Sequence, residues 1–510
     1  MKKILFTLFT ITLLLTLIAS CKDEVPISKD KEIPDKSINI VTQFVYDGMS
    51  SLYFWNDDII DEKPTFEDED PKKYFERLLS GADKEYEWSW ITDDAQALVA
   101  DFAGKPMTFG YTLGFISIDS IIYGYVKYVY NNTPAYNAGL KRLDLIGEIN
   151  GERITVDERG YISNKDVDLL YGSKPVTFTI YEYKNNGIEK TKDNVNIKPI
   201  VSHTDPVVFD TIFTIGDKTI GYLFYTSFIS NFNFRLHEVF LNFKQKGVTD
   251  LILDLRYNRG GDITAATYLA SLIAPKAFVE QKDILTILSY NKDIGQNIYK
   301  LGEYVEKDII TNGEVTSKAE PNPLDANLNL NNISIIATSD SYSASELITF
   351  CLRQQMDKVT HIGSKTGGKY TASITVHAYD EKIGFDLYPI LFPRKTINNV
   401  TRSALKNWAL QPIVAIYTDN KGNDFIETNG LIPDKEIYEG FGYIDYWKPL
   451  GDTDDTLLGE SIYLITGNEN YKPVLPNLRS STAMKTYDIA NPKKGLREES
   501  VLINNFNPMK

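Results

Sequence analysis

Two short apolar runs constrain this chain more than anything else in it: LILDL at 251–255 and ISIIA at 333–337. Each is too short for a buried helix and carries no polar face of its own. A strand that is apolar on both sides must be covered on both sides, which is the condition of a parallel sheet with helices packed on its faces. Each run leads through a Gly- or Ser-rich turn into helical spacing. ITAATYLASLIA (263–274) follows the first, and Leu347, Ile348, Cys351 and Leu352 follow the second. Upstream, TIGYLFYTSF (219–228) reads as a strand, and Phe232, Leu236, Val239, Phe240 and Phe243 form a helical stripe after it. The alternation spells β-α-β units and an α/β class, with function expected where strands end and helices begin.

A chain of 510 residues exceeds one ordinary core. Residues 38–103 read as a small N-terminal helical domain. Val41, Phe44, Val45, Met49 and Leu52 lie at helical spacing there, and PKKYFERLL (71–79) suggests a second helix. Residues 104–200 form a β-rich module, with YTLGFIS (111–117), IIYGYVKYVY (121–130) and the alternating VTFTIYEY (176–183) punctuated by turn glycines. The α/β core spans 201–470. Residues 471–510 form a C-terminal extension.

The chain opens on a leader, residues 1–20, with Lys2 and Lys3 before the apolar run Ile4–Ile18. It closes in Ile18-Ala19-Ser20-Cys21, which resembles a bacterial lipobox and implies lipidation of Cys21. An anchored protein of the cell envelope follows, on the periplasmic face or the cell surface, with residues 21–37 as a charged, proline-punctuated tether. Cys351 is then the only thiol left, so no intrachain disulfide forms. It lies in a helical pattern and reads as a small buried hydrophobe. The four histidines are scattered and no HExxH or CxxC occurs, so no metal site is expected. A net charge of −15 argues against nucleic acid as a partner, because phosphate contact needs a basic face.

The turn after ISIIA holds three serines in SYSAS (341–345). Ser343-Ala344-Ser345-Glu346 matches a capping box, which needs no chemistry. The same turn also suits a nucleophile: a serine at a helix start sits at the positive end of the macrodipole, and the Ala344 N–H could hold an oxyanion. Such a serine needs a base. HIGSKTGGKYTASIT (361–375) offers Lys369 behind two glycines, with Lys365 as a rival; a lysine becomes a base when burial lowers its pKa. LILDLRYNRGGD (251–262) adds Gly260 and Gly261, whose backbone N–H groups could complete an oxyanion hole.

Together these segments resemble the carboxyl-terminal processing, or tail-specific, Ser/Lys peptidases of S41 type. LILDLRYNRGGD is similar to their DLRxNxGG segment, SYSASELITF to their S-A-S-E turn, and IGSKTGGK to their lysine loop, in the same order. The resemblance implies a crotonase-like β-α-β peptidase core, Ser343 as nucleophile and Lys369 as general base. It implies Ala344 with Gly260 or Gly261 as the oxyanion hole, and no cofactor. PAYNAGLKRLDLIGEING (134–151) resembles the second half of a PDZ domain, and Tyr111, Thr112, Leu113, Gly114 and Phe115 its carboxylate-binding loop. Protein or peptide C-terminal tails are the implied partners, added as a strand to a sheet edge. There are departures. Ser373 stands where many members carry a glutamine that orients the lysine, and Leu143 stands where the PDZ pattern has glycine. His377 offers a Ser/His alternative. Two rival functions follow: a peptide-binding lipoprotein of the same fold that has lost turnover, and a surface glycan-binding lipoprotein suggested by the 32 tyrosines.

Overall fold

The computed structural model describes residues 37–184, 187–311, 314–377, 399–439, 448–474, 485–489 and 501–503. The leader, Cys21 and the tether up to residue 36 lie outside the described residues. The first helix, α1 (Ile40–Leu52), is capped by Asn39, whose side chain accepts from the Val41 N–H at 2.9 Å. It buries Val41, Phe44, Val45, Met49 and Leu52, the stripe read from spacing. These side chains join the main apolar cluster of the α/β core rather than a core of their own. Backbone bonds tie the same region down: Phe54 N donates to Ile413 O at 2.8 Å, and Trp90–Thr92 pairs antiparallel with Ala409–Gln411.

An antiparallel sheet follows. Its strands are β1 (Tyr111–Ile118), β2 (Ile121–Val129), β3 (Leu145–Ile149), β4 (Val176–Lys184) and β5 (Gly187–Ile197), hydrogen-bonded in that order. α2 (Asn164–Tyr171), capped by Ser163, buries Val167 and Leu170 in a separate apolar cluster with Leu113, Phe115 and Phe178. Leu143, at the position where the resemblance has glycine, adopts φ +76°, a left-handed conformation that a branched side chain holds only under packing constraint.

The α/β core then builds as the alternation predicts. β6 (Val207–Ile215) pairs antiparallel with β7 (Lys218–Tyr225), and α3 (Asn233–Gln245) returns the chain to β8 (Asp250–Asp254), parallel to β7. β9 (Gly261–Asp262) opens α4 (Ile263–Ile273), and β10 (Ile284–Tyr290) pairs with β11 (Gln296–Lys300). β12 (Asn332–Ala337) lies parallel to β8; α5 (Ala344–Cys351) leads toward β13 (Lys358–Gly363), parallel to β12. Later elements that bear on the site are β14 (Thr371–Ser373), β15 (Ile413–Asp419), β16 (Lys435–Glu436), α6 (Thr456–Thr466), β17 (Lys485–Tyr487) and β18 (Val501–Leu502). Among the described residues the central sheet has the order β6-β7-β8-β12-β13-β16, parallel from β7 onward. A second sheet runs β9-β18-β14-β15-β10-β11. Leu253 and Ile335 are fully buried, as two-sided coverage requires. Cys351 is buried and unpaired, and burial pushes its thiol pKa up, so it behaves as a core residue.

One ion cluster fixes the end of β8. Arg256 is 1% exposed; its guanidinium meets Asp455 at 2.9 Å through two nitrogens, Glu439 at 2.6 Å and Asp254. The Tyr222 hydroxyl donates to Asp254 at 2.7 Å. Burial opposes ionisation of Asp455, yet Arg256 beside it holds that carboxyl below its ordinary range. Arg142, from the loop before β3, reaches the same Glu439 at 2.5 Å. Breaking such a cluster from one side strands buried charge. Arg256→Met is expected to cost about 3–5 kcal/mol in urea unfolding. Lys276→Ala, which removes an exposed pair with Glu280 at 3.2 Å, is expected to cost no more than about 0.5 kcal/mol.

Candidate active site

The three serines of the 341–345 turn divide their labour. Ser341 Oγ donates to Leu255 O at 2.8 Å, and Ser345 Oγ donates to Asn258 O at 2.8 Å. Tyr342 N also donates to Asn258 O, at 3.1 Å. These bonds stitch the serine turn to the loop after β8. Ser343 is left over: it is fully buried, and its hydroxyl has no hydrogen-bond partner. The capping box is therefore carried by its acid. Glu346 Oε2 accepts from Ser343 N at 2.8 Å, while the serine hydroxyl is not spent on the helix. Ser343 adopts φ +58°, a left-handed conformation at the strand-to-helix junction that costs about 1–3 kcal/mol. Non-glycine residues persist in such conformations where the surroundings over-determine them, and functional turns are the usual place.

The surroundings are explicit. A Cβ added to Gly260 would lie 2.9 Å from the Ser343 Cβ and 3.1 Å from the Ala344 nitrogen, so only glycine lets the two turns touch. The Gly260 N–H itself is committed to Asn258 Oδ1 at 2.8 Å. Of the 260–261 pair, Gly260 thus provides the close approach, and Gly261 is the candidate donor to an oxyanion. Ala344 is fully buried at the first position of α5.

Glu346 joins the lysine loop to this turn. Its carboxylate accepts from Thr366 Oγ1 at 2.5 Å, Gly368 N at 2.7 Å and Lys369 N at 2.9 Å, besides Ser343 N. Burial raises its pKa, and the four donors pull against that rise. Tyr417, from β15, adds a second link: its hydroxyl lies 3.1 Å from both Ser343 O and Lys369 O. Gly367 passes beneath the Tyr342 ring, where a Cβ would come within 2.0 Å of a ring carbon. The rivalry between lysines resolves by burial. Lys369 is 3% exposed, whereas Lys365 is exposed. The direct bond expected between the Lys369 amine and the Ser343 hydroxyl is not made in this structure, since that hydroxyl makes none. The same fact means that His377, paired opposite Ala409, does not hydrogen-bond it either.

Ser373 lies on β14 and accepts from the Gln411 side chain at 3.0 Å; Gln411 in turn accepts from Thr375 Oγ1 at 2.8 Å. A buried glutamine therefore does come close to the lysine strand, from a different place in the chain than spacing would indicate. The five residues expected as a carboxylate-binding loop, Tyr111 to Phe115, lie instead within strand β1, because their alternation puts Tyr111, Leu113 and Phe115 into the apolar cluster beside α2. A surface cavity of about 680 Å³, lined by residues including Asn131, His203, Asp205, Phe232 and Arg235, shares no residue with this site. No group of residues suited to a metal ion occurs among the described residues.

Comparison with known proteins points the same way. The family model described as Peptidase family S41 matches residues 219–437, and that of the Peptidase S41 N-terminal domain matches 41–90. A "Probable CtpA-like serine protease" of Staphylococcus epidermidis is 24% identical over 238 residues, 47% of this chain and 40% of that protein. The carboxy-terminal processing protease CtpA of Bacillus subtilis is 26% identical over 250 residues, 49% of this chain and 45% of that protein. The aligned region thus spans less than half the length of either relative. A crystal structure assigned as an S41 protease of Bacteroides fragilis superimposes with a TM-score of 0.61 at 22% identity, covering 83% of this chain and 97% of that one. That likeness establishes the fold.

The Glu346 clamp sets a stability test. Glu346→Gln offers a donor where two of four N–H or O–H groups need an acceptor. It should cost on the order of 2–6 kcal/mol in chemical denaturation, while Tyr417→Phe, whose carbonyl partners keep other bonding options, should cost about 1 kcal/mol.

Proposed function

The chain belongs to peptidase family S41, and from that premise we propose that it is a serine endopeptidase with Ser343 as nucleophile and Lys369 as general base. The observation that carries the reading is the buried Ser343 hydroxyl left without a partner, while both neighbouring serines are bonded. A structural serine in that turn would be satisfied like the others. Lys369, buried and fixed to the same carboxylate through its own N–H, is the base within the shared unit.

The steps follow from the groups present. The Lys369 amine takes the Ser343 proton as Oγ adds to the scissile carbonyl. The Ala344 and Gly261 N–H groups receive the developing oxyanion, helped by the amino end of α5. The tetrahedral adduct collapses, the proton passes from Lys369 to the departing amine, and Ser343 is left as an ester. Water, deprotonated by the same lysine, attacks the ester; Lys369 returns that proton to the departing Ser343 Oγ as the new carboxyl terminus is released. Gln411 and Ser373 flank the lysine strand as positioning residues. The sheet β1–β5 with α2 is read as PDZ-like; the edge of β1 receives a protein or peptide tail by strand addition, with the tail's carboxyl end at the turn before Tyr111. The leader pattern supports an exported protein held to a membrane by lipid on Cys21.

Digestion of an unfolded protein such as casein tests the chemistry. Ser343→Ala is expected to abolish cleavage, Lys369→Ala to lower kcat/KM by about 10²–10⁴-fold, and Lys365→Ala to leave it unchanged. Equal loss in both lysine variants, or full activity in Ser343→Ala, would refute the assignment.

A further inference from the structure

Two stretches of the C-terminal extension sit where a bound peptide would go. β17 pairs antiparallel with β1, Lys485 opposite Ser117, Thr486 opposite Ile116 and Tyr487 opposite Phe115. The chain continues to Asp488, whose carbonyl accepts from Ile162 N at 2.9 Å, and to Ile489. Ile489 is 9% exposed and packs in the cluster of Leu113, Phe115, Val167 and Leu170, with Tyr487 against its edge. Along β17 the chain therefore heads toward the start of β1. A peptide added to this edge with its carboxyl end at the turn before Tyr111 would run the same way.

The second stretch lies beside the nucleophile. β18 runs parallel to β9 on one side and β14 on the other. Val501 stands opposite Gly261 and Ala372, Leu502 opposite Asp262 and Ser373. Ile503 N donates to Ser373 O at 3.1 Å. β9 starts one residue after the glycine that touches Ser343, and β14 starts two residues after Lys369. Without β18 these strands would face each other across a slot about two ladder spacings wide, roughly 10 Å. Such a slot admits one extended backbone, and both walls belong to the catalytic motifs.

We propose that the β1 edge and the β9–β14 slot form one binding surface for an extended peptide tail, and that its resident occupant is this chain's own C-terminal extension. It rests on the reading of Ser343 and of the β1 edge given above. The folded enzyme is then self-occupied, and a substrate must displace Lys485–Ile489 and Val501–Ile503 to be captured and cut. The occupant also names the substrate class: an extended tail with aromatic or branched apolar residues at alternate positions, as Tyr487 and Ile489 are. Its hold is short, three residue pairs on β1 and two on each wall of the slot, which suits a displaceable segment.

The test uses the full-length chain carrying Ser343→Ala, so that no turnover enters, and a labelled synthetic peptide of residues 485–503. Ile489→Asp should release the tail from β1, and Ile503→Pro removes the N–H that bonds Ser373. Each is expected to tighten peptide binding by fluorescence anisotropy at least tenfold over Ser343→Ala alone. Hydrogen exchange needs no tail variant: saturating peptide should strip protection from Lys485–Ile489 and Val501–Ile503 of the enzyme. Unchanged affinity in both release variants, their unfolding, or tail protection that persists at saturating peptide would overturn the proposal. Displacement without any digestion by the wild type would instead sink the peptidase reading and leave this one standing.

Discussion

The Glu346 carboxylate holds the site together. It lies fully buried and accepts four hydrogen bonds from two separate segments: the serine turn through Ser343, and the lysine loop through Thr366, Gly368 and Lys369. Those segments are 23 residues apart from Glu346 to Lys369 in sequence. A carboxylate is an acceptor only, and each of its oxygens here meets two donors, so no other buried side chain of that size could replace it without orphaning backbone N–H groups. Removing this residue would untie the turn that carries Ser343 from the loop that carries Lys369. Charge-assisted bonds of this kind are about twice as strong as neutral ones, which matches the load: they hold Ser343 at a positive φ that the backbone alone disfavours.

A second layer keeps the clamp in register. Arg256 ends β8 and is gripped by acids from β8 itself, from Glu439 and from the start of α6. The loop it anchors carries Asn258, which bonds Gly260 N, and Gly260 in turn abuts Ser343. The path from a salt-bridge cluster to Ser343 is thus a few residues of bonded backbone. Arg142 enters the same cluster from the neighbouring sheet, and Lys127 of β2 pairs with Asp340, three residues before Ser343. The antiparallel sheet and the serine turn therefore share charged contacts as well as the chain's C-terminal strands.

Much of this was readable in the sequence, and the exceptions have physical reasons. LILDL and ISIIA announced themselves because two-sided burial leaves each run nearly all apolar, with Asp254 and Ser334 as the single polar residues. The turn glycines did so because positive φ and close approach exclude side chains. SYSAS and the 361–375 segment were legible as motifs, yet their spacing alone could not separate Lys369 from Lys365; burial did. Glu346 was visible only as a helix cap, since nothing local reveals that three of its four donors come from another loop. Tyr417 and Gln411 left no signal, because their roles arise from strands brought alongside by the second sheet. The helices at 40–52 and 71–78 were correctly placed, but their apolar stripes read equally well as an independent core, and the structure shares them with the central one. The extension after 470 gave no periodicity, since strands of two and three residues are too short to show any.

The central claim is that Ser343 is a nucleophile activated by Lys369. Covalent labelling with a fluorophosphonate, mapped by mass spectrometry of peptides, tests it most directly. The account predicts a single phosphonate adduct on the peptide carrying Ser343, formed far more slowly in Lys369→Ala. No adduct, an adduct on another serine, or equal labelling rates with and without Lys369 would contradict it.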